Sequence, residues 1–423
     1  MEVYVASLID ALRKLDVECM VAVPSTDGEA ATSVYRGVKV VYYPGPVRSS
    51  PSESILASVN ADAFREMLAS ERPDVYHQHD WSLNCGLTHL QASRQLGIPS
   101  IITIHLPKLV CRMRTMMYQG RSQCDGEVIE ERCAQCFLIT KGIPSALARS
   151  ISKIPTGVAC KLVHLTGIGS LFSGRGAAKR FADGLSSVAD AADRIITVSQ
   201  WLEKALLING IPASKLSLIR SGVDPEVLPI STANGPNGLL RVGFLGRWNP
   251  AKGLHVLISA LQRLPSTMYT LRVLATGNDP ESAAYRRYIE RMVSKQPQFQ
   301  LFADQPRSAV REFFQNIDVL AVPSQWLETG PLVVLEAHAC KIPVVGSNLG
   351  GISEMVRDQI DGLLVPHGNI EAWKAALRRL ADDSLLLQQL RQNIPAVRTM
   401  RDTAGDMLAL YRKLLCERSI SAA

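Results

Sequence analysis

The sequence predicts an α/β protein of two domains, each built on a parallel sheet. Three observations lead there. A chain of 423 residues has room for two domains. Short strands rich in Val and Ile alternate with helical periodicities, the signature of a parallel sheet covered by helices on both faces. In the C-terminal half, apolar runs end in Gly-containing turns that open into helices, as strand–loop–helix units do. The expected organisation is a first domain over residues 1–224, with a Cys-rich insertion at about 106–140. A linker follows at 225–239, then a second domain at 240–398 and a terminal helix at 399–423.

Taken in order, Val5, Leu8, Ile9, Leu12 and Leu15 have helical spacing, so the chain opens inside an amphipathic helix. Strands follow at Val21–Val23, Val38–Tyr43, Asp74–His77 and Ser100–His105, and helices at 55–72 and 85–96 separate the later ones. Asp193–Ser199 reads as a late strand followed by an amphipathic helix. Leu218–Asp224 leads into a stretch of Pro, Gly, Asn, Ser and Thr, the composition of a linker. Leu408, Leu410, Tyr411, Leu414 and Leu415 mark the terminal helix.

Three segments of the C-terminal half carry chemistry. In Val242-Gly243-Phe244-Leu245-Gly246-Arg247-Trp248-Asn249-Pro250-Ala251-Lys252-Gly253, a strand runs through a Gly-Arg turn to a helix patterned by Leu254, Leu257, Ile258 and Leu261. Arg247 and Lys252 flank a strand-to-helix loop, where backbone amides and the helix dipole favour an anion. Two cations suit a diphosphate, Arg as a planar fork and Lys as a point charge. Next, Trp326-Leu327-Glu328-Thr329-Gly330-Pro331-Leu332 leads into an apolar helix that contains Glu336. Pro331 suits the first helical turn, and the helix-start amides offer donors to a hydroxyl or phosphate. A carboxylate within an apolar run needs a partner, and a polyol supplies one. Finally, Ile342-Pro343-Val344-Val345 is a buried strand, followed by Gly350-Gly351 and the helix start at Glu354. On residues alone, structural carboxylates and an ordinary solvated loop remain open alternatives.

Gly-Arg…Lys-Gly, Glu-x7-Glu and Pro-Val-Val…Gly-Gly-x-x-Glu, in that order, strongly resemble the donor-site signature of the retaining glycosyltransferases of family 4. The resemblance implies the GT-B fold, two Rossmann-like domains facing across a cleft, with the terminal helix packing back on the first. It implies a sugar nucleotide donor, UDP- or GDP-linked, and a glycan or lipid-linked hydroxyl acceptor. It also implies retained anomeric configuration and no metal in catalysis. Arg247 and Lys252 would hold the diphosphate, with Gly246 in their turn. Glu328 would bind donor-sugar hydroxyls, helped by backbone amides at Gly330 and Leu332, and Glu336 would bind the ribose. His105, in Thr-x-His at a strand end, would approach the reacting sugar. Leu106 stands where relatives often carry an Asp partner, and a histidine merely capping the strand is the plain alternative. His77, His79 and Asp80 form a similar strand-end cluster, with a packing or acceptor-side role favoured over a metal pair.

Relatives open with a strand and a Gly-rich loop before the first helix. Glu2-Val3-Tyr4-Val5 matches that helix start, so the chain reads as a truncated form, with a degenerate homologue as the alternative. Ser221 replaces the usual Asn of an Asn-Gly-Val-Asp turn. A non-catalytic sugar-nucleotide binder and an epimerase of similar architecture are the rival functions.

Cys111, Cys124, Cys133 and Cys136 form C-x12-C-x8-C-x2-C in one long connection, a spacing that suits a structural zinc. An iron–sulfur cluster or a redox dithiol are the other readings. Nine cysteines without a leader argue against a disulfide framework and for a cytoplasmic protein. No run approaches ~20 apolar residues. Lys141, Arg149, Lys153, Lys161, Arg175, Lys179 and Arg180 could face an acceptor or the inner membrane surface, though a solvated face is the simpler reading. The net charge of +7 comes with no nucleic-acid motif.

Overall fold

A computed structural model describes residues 2–25, 27–45, 61–81, 85–162, 169–223 and 238–422. The chain divides into two compact units. One is Met1–Arg220 with Arg401–Ala423, and the other is Ser221–Met400. Most of the expected linker, and the first residues of the helix expected from Ile55, lie outside the described residues.

In the first unit, helix α1 (Glu2–Arg13) buries Tyr4, Leu8, Ala11 and Leu12. Leu8 and Leu12 are buried as expected, but Tyr4 and Ala11 flank them in the core in place of Val5 and Ile9. Strands β1 (Met20–Ser25), β2 (Ala31–Tyr35) and β3 (Val38–Pro44) form one sheet in the order β1-β3-β2. The β1–β3 pair is parallel, from Met20 opposite Lys39 to Ser25 opposite Pro44. Strand β2 pairs antiparallel with β3 and is exposed along its whole length, so it lacks the apolar alternation that would announce it. Helix α2 (Ala61–Glu71), strand β4 (Tyr76–His79), helix α3 (Leu87–Gln95) and strand β5 (Ser100–Ile104) come next. The β4 strand runs two residues later than expected, which brings His79 to the strand end.

The 106–140 insertion holds a 3-10 turn at Pro107–Leu109, a small hairpin of β6 (Met117–Tyr118) and β7 (Ser122–Gln123), and helix α4 (Glu130–Thr140). Helices α5 (Ser145–Ser152), α6 (Thr156–Leu162) and α7 (Gly169–Ala191) follow, then β8 (Arg194–Thr197), α8 (Gln200–Ile208) and β9 (Leu216–Leu218). A second, all-parallel sheet has the order β4-β5-β8-β9. Among the described residues, the strands of this unit therefore form these two sheets and the small β6–β7 hairpin, with β1 and β4 at sheet edges. Helix α2 packs on both, because Phe64, Met67 and Leu68 share one cluster with Val41 and Tyr43 of β3, and Met20, Ala22 and Tyr76 lie against it. The terminal helix Met400–Ala422 buries Met407, Leu410, Tyr411 and Leu414. It is tied to this unit by Arg194–Glu417 and Arg418–Asp193 ion pairs at 2.8 and 3.1 Å.

The second unit is a doubly wound α/β domain. Its elements are β10 (Leu240–Arg247), α9 (Leu254–Leu261), β11 (Tyr269–Thr276), α10 (Pro280–Met292), β12 (Phe299–Ala303), α11 (Ala309–Gln315), β13 (Val319–Val322), α12 (Leu332–Ala339), β14 (Val344–Ser347), α13 (Gly350–Met355), β15 (Gly362–Val365), α14 (Ile370–Asp382) and α15 (Ser384–Gln392). The six strands are all parallel, in the order β12-β11-β10-β13-β14-β15. The chain leaves β10 toward β11 and β12, then returns to place β13 on the other side of β10. The order thus reverses between β10 and β13, the crevice where open α/β sheets bind ligands. Arg241 and Asp318 join these two strands at their opposite ends by a bidentate pair, with contacts of 3.1 and 2.6 Å. Among the described residues, no helix is long and apolar enough to cross a membrane.

Candidate functional site

The loops after β10, β13 and β14 meet at the carboxyl edge of the second unit's sheet. Arg247 ends β10 with its side chain exposed. The chain then makes a 3-10 turn over Pro250–Lys252, capped by the Asn249 carboxamide, which accepts from the Ala251 amide at 2.8 Å. Gly253 adopts φ +73°, and a Cβ there would lie 1.8 Å from the Pro323 carbonyl oxygen. Only glycine lets the β10 loop approach the β13 loop this closely. The Gln325 amide completes the contact by donating to the Ala251 carbonyl at 2.7 Å.

The third loop locks the second in the same way. Gly351 donates its amide to the Glu328 carbonyl at 2.6 Å. A Cβ on Gly350 or Gly351 would meet the backbone of residues 327–330 at 2.7–3.1 Å. The Lys-Gly, Glu and Gly-Gly motifs are therefore one interlocked structure.

At its centre Glu328 is only 5% exposed. Three donors converge on one carboxylate oxygen, Oε1: the Lys252 ammonium at 2.7 Å, the Ser324 hydroxyl at 2.7 Å and the Trp326 indole N–H at 2.8 Å. The Lys252 ammonium also lies 5.4 Å from the centre of the Trp326 ring, within cation–π range. A buried carboxylate needs such compensation. Pro331, expected inside the first helical turn, instead occupies the cap position at φ −67°, and α12 starts at Leu332. The Gly330 and Leu332 amides lie at that helix start. Glu336 is half-buried midway along α12. Sequence reasoning placed Glu328 and Lys252 in the site but missed the contact between them. It also missed Ser324 and Trp326 as ligands of the carboxylate, although Trp326 stood in the motif.

The first unit gathers its histidines at the carboxyl ends of β4 and β5. His105 follows β5 directly, and its Nε2 lies 3.2 Å from Nδ1 of His79. The two rings stack with centres 5.5 Å apart, and His77 stacks on His79 at 4.2 Å. His77 spends both nitrogens, on the Tyr411 hydroxyl at 2.6 Å and the Thr103 hydroxyl at 2.7 Å. Burial pushes His79 down to about 4 and His105 to about 3, so both are neutral at physiological pH. His79 is thus the neighbour of His105 that Leu106 could not supply. Asp80 pairs with Lys108 at 2.7 Å instead of joining a metal site.

The structural zinc expected at the four cysteines stays a proposal. Among the described residues, no three His, Cys, Asp or Glu side chains are grouped to hold a metal ion. Cys111, Cys124, Cys133 and Cys136 are free and partly buried. Cys136 Sγ accepts from the Gln119 amide at 3.1 Å and points to the Met117 carbonyl, while Cys124 Sγ faces Asp125 at 3.7 Å. Burial pushes the Cys133 thiol up to about 11, and the neighbouring Cys124 and Cys111 push the same way.

Comparison with known proteins accounts for both units. Residues 1–222 match the family described as glycosyl transferase 4-like domain. The chain belongs to this family. Residues 233–397 match a second, described as glycosyl transferases group 1. Among curated relatives, a D-inositol 3-phosphate glycosyltransferase of Mycobacteroides abscessus is 30% identical over 211 residues, 47% of this chain and 46% of the relative. The chain spans about half the length of such relatives. An amylovoran biosynthesis glycosyltransferase of Erwinia amylovora is 24% identical over 66% of this chain and 69% of its own. Among solved structures, sucrose-phosphate synthase from Thermosynechococcus elongatus superposes with a TM-score of 0.66 at 21% identity, covering 98% of this chain and 93% of that one. Anabaena HepE, solved with UDP and glucose, gives 0.62 at 15% identity, covering 99% and 96%. These likenesses show the fold: both units are Rossmann-like, as in GT-B glycosyltransferases.

Proposed function

We propose that the protein transfers a sugar from a nucleotide-diphosphate sugar, UDP- or GDP-linked, to a hydroxyl of a glycan or lipid-linked acceptor, with retention at the anomeric carbon. The observation that carries this reading is the interlocked site at the switch point of the second unit, with Lys252 and Glu328 in contact and Arg247 exposed at the end of β10. In the proposed chemistry Arg247 and Lys252 neutralise the diphosphate and stabilise the charge that grows on it as the glycosidic bond breaks. Glu328 accepts hydrogen bonds from the donor sugar, with the Gly330 and Leu332 amides beside it. Glu336 takes the ribose hydroxyls, and Gly246 lets the phosphates approach the β10 turn. His105 acts as a neutral group near the reacting sugar, and the departing phosphate takes the acceptor proton. The relatives' printed activities as glycosyltransferases support the class, and the HepE complex with UDP and glucose supports the type of donor. The proposed domain limits remain 1–224, 240–398 and 399–423, with 225–239 as linker. Peripheral contact with an inner membrane surface belongs to the same proposal.

A second reading, a sugar-nucleotide binder without turnover, is favoured by the burial of His105 against His79 and by the separation of β1 and β4 into different sheets. Calorimetric titration with UDP, GDP and ADP tests both. Binding of one, abolished by Glu336→Ala and weakened by Arg247→Ala, supports the donor site, and turnover of the matching sugar nucleotide separates enzyme from binder. Binding of none overturns the proposal.

A further inference from the structure

We infer that Ser324 and Trp326 are positioning residues for Glu328, forming a neutral clamp that holds its carboxylate while Lys252 engages the donor diphosphate. The inference rests on the donor-site reading and deepens it. All three donors share Oε1, at 2.7, 2.7 and 2.8 Å, but they differ in kind. Lys252 is a cation on a four-carbon stem, its side chain 25% exposed against 7% for Glu328. Ser324 and Trp326 are neutral donors on the same loop as the glutamate, four and two residues before it. That loop is itself fixed, because Gly253 packs on Pro323 and Gly350–Gly351 pack on residues 327–330.

A phosphate draws an ammonium strongly. When Lys252 turns toward it, a buried carboxylate with no other donor would lose its compensation and its orientation. The Ser324 hydroxyl and the Trp326 indole N–H prevent both, since neither carries a charge for the phosphate to attract. The Trp326 ring, beside the ammonium, gives Lys252 a second surface to rest on as it moves. The clamp thus fixes the sugar-facing group independently of the phosphate-facing one, so the two can be tested apart.

The test uses the intact chain. First, the indole N–H resonance of Trp326, assigned by its loss in Trp326→Phe, is compared in wild type and Glu328→Ala. A clamp predicts a downfield resonance that moves upfield when the carboxylate is removed, and a resonance indifferent to Glu328→Ala overturns the inference. Second, Trp326→Phe, Trp326→His and Ser324→Ala are titrated with UDP, GDP and ADP and assayed with UDP-glucose, GDP-mannose and ADP-glucose. Positioning predicts nucleoside diphosphate affinity within about twofold of wild type and kcat reduced about tenfold or more in Trp326→Phe, as for loss of a hydrogen bond to a charged group. Trp326→His, which restores an N–H donor, should recover part of the loss. Unchanged kcat in Trp326→Phe, or an equal loss of nucleotide binding and turnover without rescue by histidine, overturns the positioning role. If the wild-type chain binds no nucleotide while the indole resonance responds to Glu328→Ala, the donor-site reading is what has failed. The positioning role falls with it, and the clamp survives as a structural contact.

Discussion

Replacing Gly253 by alanine should damage the second unit far more than the size of one methyl group suggests. Two costs combine. The residue sits at φ +73°, where an L side chain costs about 1–2 kcal/mol. Its new Cβ would lie 1.8 Å from the Pro323 oxygen, so the loops must part by about 1.2 Å to reach even a tight 3.0 Å contact. Overpacking of this kind costs about 1–3 kcal/mol, so the expected total is roughly 2–5 kcal/mol. The parting also strains the bond from the Gln325 amide to the Ala251 carbonyl, and it carries Lys252 away from Glu328. Gly210 provides the control. It has a similar φ of +84° and nothing within 4 Å of its would-be Cβ, so Gly210→Ala should show only the backbone cost of about 1–2 kcal/mol. Hydrogen exchange read peptide by peptide suits a two-unit protein better than a single melting curve, because it reports local opening. Protection should fall across residues 247–261 and 319–336 in Gly253→Ala, and only around residue 210 in the control. Equal effects of the two substitutions would refute the claim that loop packing, rather than backbone conformation alone, makes the glycine necessary.

Three further outcomes are expected. Asp318→Ala should destabilise the second unit by about 3–5 kcal/mol, the range for stranding one member of a buried pair, since it deprives Arg241 of its bidentate partner; urea denaturation measures this, and the Arg241→Met/Asp318→Leu double variant should recover most of the loss. His89, held by the Tyr43 hydroxyl at 3.0 Å, is pushed down by burial to about 4. Above pH 6.5 it is neutral folded or unfolded, but between about 6.5 and 4 the unfolded chain takes up the proton first, so stability falls by about 1.4 kcal/mol per pH unit. His79 and His105 are shifted the same way, so denaturation at pH 7, 6 and 5 should show a steeper total slope, from which His89→Gln should remove about 1.4 kcal/mol per pH unit. Cys133, with its thiol near 11, has roughly one thiolate in three thousand at pH 7.5, so iodoacetamide should label it slowly in the native chain and rapidly after unfolding, as followed by mass spectrometry.

The sequence made the second unit legible because its informative residues are local. A strand, a Gly turn and a helix start each lie within a dozen positions, and the order of β10, β13 and β14 follows from the chain. What it concealed was contact across loops. Nothing in the spacing says that three donors 76, four and two residues away share one oxygen of Glu328, since proximity there depends on which loops adjoin in the sheet. The first unit was less legible for two physical reasons. Strand β2 is exposed on all five residues and has no apolar alternation. The histidine stack depends on β4 running to His79, two residues past its expected end, so that strand register rather than residue type brings His79 to His105. The hairpin and α4 bring the four cysteines near enough for Cys124, Cys133 and Cys136 each to feel Cys111, although among the described residues no three His, Cys, Asp or Glu side chains are grouped to hold a metal ion.

The separation of β1 and β4 into different sheets bears on how this protein behaves in a test tube. Among the described residues, each strand has one neighbour in its sheet, β3 for β1 and β5 for β4, and so one row of amides and carbonyls without a partner strand. Such rows are templates on which extended peptide, from any source, can zip. Solutions of this chain should accordingly turn cloudy or grow in apparent mass as concentration rises, and do so before heat unfolds either unit. Light scattering against concentration would separate this colloidal behaviour from thermal failure, and buffers for the nucleotide titrations should be chosen with it in mind.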